Sequence, residues 1–189
     1  MAANIQAAPK EATMANPYDT VLEAHCDASP AAVYDVLTDL STHLDWGGRQ
    51  QRRSFRLTSM EGSGPLRLGT EFDSRGSMPM TRARWEDHNV VVRADPALVE
   101  FHTASIAVWP TGRRTVARWE HRYEIAPDGA GSRVVYRLRQ AAMTDPPLRL
   151  RVPVMRTLTR RVMMPFFCQR GFTNLLQAAQ RRATPVAGA

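Results

Sequence analysis

The stretch YDTVLEAHCDASPAAVYDVLTDLSTHLDW, residues 18–46, decides the fold of this chain. Within it, residues 18–28 alternate between apolar and polar side chains, which predicts a half-buried β-strand. Ser29 suits the N-cap of a helix and Pro30 suits its first position, so the strand is predicted to run directly into a helix. A second short helix is predicted to end at Trp46. The first helix has an apolar stripe at the spacing i, i+3, i+4 and i+7, formed by Val33, Val36, Leu37 and Leu40.

Further strands follow, separated by turns rich in glycine and proline. They are predicted over residues 51–60, 69–77, 80–87, 97–108, 115–126 and 132–143. The turn PDGAG, residues 127–131, joins the last two strands into a hairpin. Alternation predicts that the odd positions of the first hairpin strand and the even positions of the second face the protein interior.

The apolar period changes from two to that of a helix after Pro146. We expect a short helix near residues 150–163 and a longer one near residues 165–182. Pro165 kinks the chain or begins the second helix, because proline lacks a backbone donor and clashes with the preceding turn.

The length of 189 residues indicates one domain, predicted over residues 18–182. Residues 1–17 are expected to form a disordered leader and residues 183–189 a flexible tail. No apolar run approaches the roughly 20 residues that span a bilayer. Cys26 and Cys168 form no CxxC pair, so we expect reduced thiols in a cytoplasmic protein.

The chain is basic, with a net charge of +7 and 25 basic residues, of which only Lys10 is lysine. Such a charge attracts nucleic acid or anionic surfaces, but no helix-turn-helix, zinc-finger or RNP-like motif is present, so nucleic acid is not predicted as a partner. The histidines have no HxH or HExxH spacing, and no Cys/His cluster exists, so no metal site is predicted. No dinucleotide or P-loop motif occurs, and no cofactor is expected.

The predicted order of elements resembles the helix-grip superfamily. This group holds START lipid-transfer domains, pollen-allergen-like proteins and the polyketide cyclase/dehydrase (SRPBCC) proteins. The resemblance covers about residues 18–182 and is carried by CDASPAAVYDVLTDL (26–40), Trp46, GPLRLGTEFDSRG (64–76), MTRARWED (80–87) and LLQAAQRR (175–182). Residues 147–165 depart from the family pattern, because they are richer in arginine and proline.

The resemblance implies an α+β, helix-grip (START-like) fold. In it, a curved antiparallel sheet of about six to seven strands wraps around a long C-terminal helix, with two short helices after the first strand. It also implies a cavity between sheet and helix that binds or carries a hydrophobic small molecule, such as a lipid, acyl chain or polyketide-like compound. Members of the family are carriers or cyclases, so an enzymatic role stays open.

The candidate catalytic residues are His121 and Tyr136, which the hairpin register makes direct or diagonal neighbours. Tyr123 and Gln140 lie nearby on the same face. A histidine beside a phenol could perform the acid–base steps of a polyketide cyclase or dehydratase, using Tyr136 or Tyr123. The alternative is a hydrogen-bonded core histidine beside tyrosines that orient a ligand.

The candidate ligand-binding residues are mostly aromatic and are predicted to line the pocket. They are Trp85, Phe101, Trp119, His121, Tyr123, Tyr136, Gln140, Met163, Phe167 and Phe172. The alternative is that these side chains fill a solid core.

A basic, amphipathic segment over residues 149–161 is the candidate contact with an anionic membrane surface. Its basic residues are Arg149, Arg151, Arg156, Arg160 and Arg161. The alternative is a helix that covers the pocket and keeps its arginines in water.

Overall fold

The chain forms a sheet and a set of helices, described by a computed structural model for residues 5–6, 19–48 and 54–183. For residues 5, 6, 149 and 150 the backbone alone is described. The strands are β1 Ile5–Gln6, β2 Thr20–Cys26, β3 Arg56–Glu61, β4 Glu71–Ser77, β5 Arg84–Asp95, β6 Leu98–Val108, β7 Arg114–Asp128 and β8 Gly131–Thr144. The helices are α1 Pro30–Thr38, a 3-10 turn Leu40–Thr42, α2 His43–Gly47, α3 Leu148–Arg151, α4 Pro153–Leu158, a π-helical turn Thr159–Met163 and α5 Met164–Ala183.

The strands form one antiparallel sheet in the order β1-β2-β8-β7-β6-β5-β4-β3 across the described residues. The pairing register shifts at Val92 of β5 and at Ala141 of β8, where one extra residue is inserted into the strand, and such bulges bend a strand. The sheet curves around α5, which also packs against α1 and β2. The predicted α+β helix-grip fold is confirmed, with seven strands of six residues or more and a two-residue β1.

The β2–α1 junction forms as its sequence predicts. The Ser29 hydroxyl accepts a hydrogen bond from the Ala32 N–H at 3.3 Å, and Pro30 is the first residue of α1. Val33, Val36 and Leu37 are at most 2% exposed, so the apolar stripe of α1 faces the core. The main hydrophobic core therefore lies at the end of the molecule where α1, α5 and β2 pack together.

Strand β5 differs from its prediction at both ends. It begins at Arg84, because the preceding residues form a turn in which the Met78 N–H bonds the Ala83 carbonyl oxygen and Met80 has a φ of 58°. It continues to Asp95, well past the predicted end at residue 87. This extension contains the three consecutive valines 90–92, two of which pair with β6. Their β-branched side chains favour a strand.

Helix α4, the π-helical turn and α5 follow one another without a gap over residues 153–183, so the two helices predicted on either side of Pro165 are joined into one. The Met164 N–H bonds the Thr159 carbonyl oxygen, five residues back, and closes the π-helical turn. Pro165, which has no backbone N–H, follows this turn directly as the second residue of α5. The π-helical turn shifts the faces of α5 relative to those of α4.

The predicted leader and tail lie outside the described residues, apart from two pieces. The backbone of Ile5–Gln6 pairs with Ala24 and Glu23 of β2. At the other end, α5 extends to Ala183. Among the described helices, none combines the length and apolar character needed to cross a membrane.

Candidate functional site

A cavity of about 580 Å³ lies between the concave face of the sheet and α5. Its walls are mostly apolar, and they include all four tryptophans of the chain: Trp46, Trp85, Trp109 and Trp119. The opposite side of the cavity is closed by one face of α5, formed by Met164, Phe167, Cys168, Gly171 and Phe172. The volume lies within the range of pockets for small molecules, which is roughly 300–1,000 Å³.

Nine of the ten residues predicted to line the pocket do so. They are Trp85, Phe101, Trp119, His121, Tyr123, Tyr136, Gln140, Phe167 and Phe172. Met163 is absent from the described lining, and the adjacent Met164 takes its place. Successive residues of an α-helix point about 100° apart. The π-helical turn, which ends at Met163, interrupts this periodicity. The sequence therefore could not show which of the two methionines faces the cavity.

One end of the cavity holds the predicted histidine and tyrosines. Tyr123 lies directly opposite Tyr136 in the β7–β8 ladder, which makes His121 the diagonal neighbour of Tyr136. The His121 Nδ1 and the Tyr136 hydroxyl are 3.0 Å apart, a hydrogen bond whose direction depends on the histidine tautomer. The Phe101 ring stacks on His121 with its centroid 4.6 Å away. The hairpin thus brings together the residues that the sequence proposed as a catalytic pair.

Burial keeps these groups neutral near pH 7. It lowers the pKa of His121 to about 3, with a smaller contribution from His102. Burial also raises the pKa of Tyr136 and Tyr123 above the usual value, and it raises the pKa of the Cys168 thiol to about 12. Neutral hydrogen-bonding groups are suited to orienting a polar atom of a ligand, and a base with a pKa near 3 accepts protons weakly at pH 7.

A hydrogen-bonded polar group lies farther along the sheet, centred on Asn89 of β5. The Asn89 Nδ2 donates to the Phe72 carbonyl oxygen and to the Ser74 hydroxyl, both at 3.1 Å. The Thr103 hydroxyl donates to the Asn89 Oδ1 at 2.7 Å. The side chain of Asn89 is therefore satisfied by the protein itself.

Asp87 is the next inward residue of β5, and the sequence analysis did not identify it. It lines the cavity between Ser74 of β4 and Ser105 of β6, its partners in the two ladders. Burial raises the pKa of Asp87 to about 7, although a hydrogen bond from Ser105 acts in the opposite direction. Its Oδ1 is buried without a hydrogen-bond partner among the described residues. Asp87 has the same parity as Trp85 on this strand, and that alternation was the signal that could have found it.

The mouth of the cavity is formed in part by the arginine-rich segment. The Arg160 guanidinium donates to the Gln140 Oε1 from Nε at 2.9 Å and from Nη2 at 2.6 Å. Its Nη1 lies 3.8 Å from the Asp19 carboxylate. Arg156 also lines the cavity, together with Pro146 and Pro147 of the preceding loop. Arg160 is thus the link between this segment and the sheet.

Most of the other predicted membrane-facing arginines are exposed to solvent, including Arg156, which also lines the cavity. Arg151, Arg156 and Arg161 are exposed, whereas the side chain of Arg149 lies outside the described part of the chain. Apolar side chains are exposed beside them, with Leu148 at 75%, Val154 at 76% and Val162 at 57%. The surface is therefore both basic and apolar.

Metal-binding geometry is not found in the part of the chain that the structure describes, where no group of three or more His, Cys, Asp or Glu side chains could hold an ion. The two cysteines are free thiols. Cys26 is buried, and its thiol donates to the Leu176 carbonyl oxygen at 3.6 Å.

Comparisons with known proteins agree with this architecture. TTHA0849 from Thermus thermophilus is similar in structure, with 17% identity and a TM-score of 0.58 over 87% of this chain and 99% of that chain. Ms6760 from Mycobacterium smegmatis has 12% identity and a TM-score of 0.56 over 89% of this chain and 91% of that chain. These likenesses show the fold. No curated protein matches the chain.

The profile of one family, described as polyketide cyclase / dehydrase and lipid transport, matches residues 19–180. The match extends from the start of β2 into the last turns of α5 and so includes every element that lines the cavity. The chain therefore belongs to the polyketide cyclase/dehydrase and lipid transport family.

Proposed function

We propose that this protein binds and carries a hydrophobic small molecule, such as a lipid, an acyl chain or a polyketide-like compound, between its sheet and α5. The observation that carries this proposal is the cavity of about 580 Å³, whose walls hold the four indole rings of the chain. Burial of apolar ligand surface in such a cavity supplies roughly 25 cal/mol per Å². Several polar side chains of the wall are paired with one another, as Asn89 is with Thr103 and His121 with Tyr136, which favours binding over chemistry.

The test of this proposal fills the cavity from the helix side. Gly171 lies on the cavity face of α5, and a Cβ added there would meet no atom within 4 Å. A Gly171→Leu variant places a bulky side chain in that space without removing any existing contact. We expect the affinity for 1-anilinonaphthalene-8-sulfonate, measured by fluorescence titration, to fall at least tenfold.

Gly171→Ala is the matched control, because it adds only one methyl group at the same position. It should retain probe binding, and both variants should keep the circular dichroism of the native fold. Equal affinity in the native protein and the leucine variant, or no binding to the native protein, would count against a ligand in this cavity.

An enzymatic alternative keeps His121 and Tyr136 as acid–base groups of a cyclase or dehydratase. Their 3.0 Å hydrogen bond inside a cavity favours it, whereas the lowered pKa of His121 makes the imidazole a weak base near neutral pH. This alternative predicts faster exchange of the methyl hydrogens of 2-acetylnaphthalene in D2O, followed by NMR. A His121→Gln variant with the same exchange rate would exclude the role.

A second candidate function is transient docking on an anionic lipid surface. The apolar side chains exposed at Val154 and Val162, beside the exposed Arg156 and Arg161, favour it, because interfacial segments combine apolar insertion with attraction to headgroups. This surface adjoins the cavity mouth, to which Arg156 also contributes. Docking there would open a path for the ligand between membrane and cavity.

Charge reversal tests this docking. An Arg156→Glu/Arg161→Glu double variant should lose at least tenfold in partitioning to phosphatidylglycerol-containing vesicles, since each basic residue contributes about 1 kcal/mol at such a surface. The control is Arg84→Glu/Arg118→Glu, two exposed positions of the sheet with the same change in net charge. Equal loss in both double variants would indicate attraction by net charge alone.

A further inference from the structure

Two polar atoms on the cavity side of β5 have no hydrogen-bond partner among the residues that the structure describes. They are the Oδ1 of Asp87, an acceptor, and the Nε1 of Trp85, a donor. Both side chains line the cavity, and the two residues lie two positions apart on the same face of the strand. Burial of such atoms without a partner is unfavourable, so their place on a ligand-facing wall points to a ligand atom that pairs with them.

The neighbouring Asn89, unlike Asp87, has partners for both polar atoms of its side chain. Its side chain faces the same cavity and is paired with Phe72, Ser74 and Thr103. The sheet therefore supplies internal partners for one inward polar residue of β5 and leaves the next one, Asp87, with a single hydrogen bond from Ser105.

We propose that Asp87 forms a polar subsite that binds a hydroxyl group of an otherwise apolar ligand, with Oδ1 as the acceptor. This inference rests on the proposed function and deepens it by naming one chemical group of the ligand. A hydroxyl donates the hydrogen that Asp87 lacks, which a ketone, an ether or a hydrocarbon cannot do. It can also accept from a donor such as the Trp85 indole N–H.

The charges of the cavity favour a hydroxyl over an ionised ligand group at this position. A carboxylate would repel Asp87, and the guanidinium groups of Arg156 and Arg160 at the mouth disfavour the entry of a cation. The remaining titratable groups of the lining are His43, His121, Tyr123, Tyr136 and Cys168.

The subsite is separate from the His121 end of the cavity. On β6, Phe101 lies opposite His121 and Ser105 lies opposite Asp87. Four residues along a strand span roughly 13 Å, at about 3.3 Å per residue. A ligand that reaches both ends would therefore have its hydroxyl held by Asp87 and its far end packed among the aromatic rings.

The experiment compares probes that differ in one group of similar size. The aromatic pair is 2-naphthol and 2-methylnaphthalene, and the saturated pair is decahydro-2-naphthol and 2-methyldecalin. Binding is measured by equilibrium dialysis at pH 8, where Asp87 is mostly ionised, since burial raises its pKa to about 7. We expect the hydroxylated member of at least one pair to bind about tenfold more tightly, as is typical of a hydrogen bond to a charged group. The pair that shows the preference distinguishes a phenol from an alcohol.

Variants assign the preference to Asp87. Asp87→Leu should remove it while retaining affinity for the methylated probes, and Asp87→Ala repeats the test if the leucine variant does not fold. Glu86→Gln is the control, because Glu86 is exposed on the other face of the same strand. It should leave the preference unchanged.

The outcomes separate the two proposals. Equal binding of both members of both pairs to the native protein overturns the Asp87 subsite and leaves the hydrophobic cavity in place. A preference that survives in Asp87→Leu or Asp87→Ala also overturns it. Failure of every probe to bind the native protein overturns the proposed function, and the subsite with it.

Discussion

Arg160 donates two hydrogen bonds to one oxygen of Gln140, and by this contact the π-helical turn before α5 is fixed to strand β8. Both residues line the cavity. Since α4 has no buried residue within its described length, few other contacts hold this segment in place. The contact is therefore placed to control how readily the cavity mouth opens.

We predict that Gln140→Ala loosens this segment and speeds ligand exchange. Hydrogen exchange of the backbone amides of residues 154–163 should become at least fivefold faster, because a hydrogen bond to a charged group contributes roughly 1.5–3 kcal/mol. Exchange of the amides of β6 should stay unchanged and serves as the internal control. If protection of the segment is the same in both proteins, the contact does not hold the mouth.

The cavity residues should also shape the pH dependence of stability. Burial lowers the pKa of His43 to about 4 and that of His121 to about 3, so the unfolded state takes up a proton at each as the pH falls below about 6.5. Both contributions are present above the unfolded pKa and are lost on acidification. Asp87 acts in the opposite sense, because its pKa is raised to about 7 and the folded state binds the extra proton.

For these three groups together, the free energy of unfolding should fall by about 1.4 kcal/mol per pH unit between about pH 6.5 and 4, since one net proton is taken up on unfolding. In Asp87→Asn the fall should steepen to about 2.7 kcal/mol per unit, because the opposing proton is gone. Above pH 7 that variant should be more stable than the native protein, by up to about 4 kcal/mol. Urea unfolding at several pH values measures both slopes, and parallel curves for the two proteins would show that Asp87 ionises normally.

Intrinsic fluorescence should report occupancy of the cavity from several positions at once. All four tryptophans line it, so a bound acceptor such as 1-anilinonaphthalene-8-sulfonate should quench the total emission by energy transfer. Single replacements by phenylalanine should each reduce the transferred signal without abolishing it. Acceptor emission that disappears in one replacement alone would place the probe at a single surface site.

Gly76 of β4 packs behind the cavity residue Trp85, at a position that tolerates no side chain. A Cβ there would overlap the Trp85 indole ring and the Arg56 carbonyl oxygen. We expect Gly76→Ala to lower the free energy of unfolding by about 1–3 kcal/mol, because the ring and β3 must shift. In Gly171→Ala the added methyl group lies in open space beside α5. This variant should instead raise the free energy of unfolding by about 0.5–1 kcal/mol, because alanine favours the helix over glycine. Urea denaturation of the two variants checks both signs.

The hairpin β7–β8 shows what the sequence could predict. Alternation places His121 and Tyr136 on one face, and the tight turn restricts their relative register, so their contact followed from the pattern. The β2–α1 junction followed in the same way, because Ser29 and Pro30 each have a local role that tertiary contacts do not override.

Asp87 and Met163 show where that reasoning stops. Alternation favours an inward Asp87, whereas the polarity of a carboxylate favours an outward one, and periodicity alone does not decide between them. The π-helical turn that ends at Met163 adds a residue to the helical repeat. As a result, Met164 rather than Met163 lines the cavity. In both cases the outcome depends on packing across elements that are distant in the chain.

The aromatic rings of the site have a consequence for how ligand preference can change over evolution. Ring contacts run without a break from Phe72 through Phe101 and Tyr123 to Tyr136 and Phe172, with successive centroids 4.6–6.2 Å apart. One end of the cavity is therefore a rigid part of the folding core, where most substitutions would cost stability. The residues at the mouth, such as Gln140, Arg156 and Arg160, are instead exposed or partly exposed and lie outside the hydrophobic core. Residues around the mouth can accordingly change in evolution independently of the residues that fold the chain.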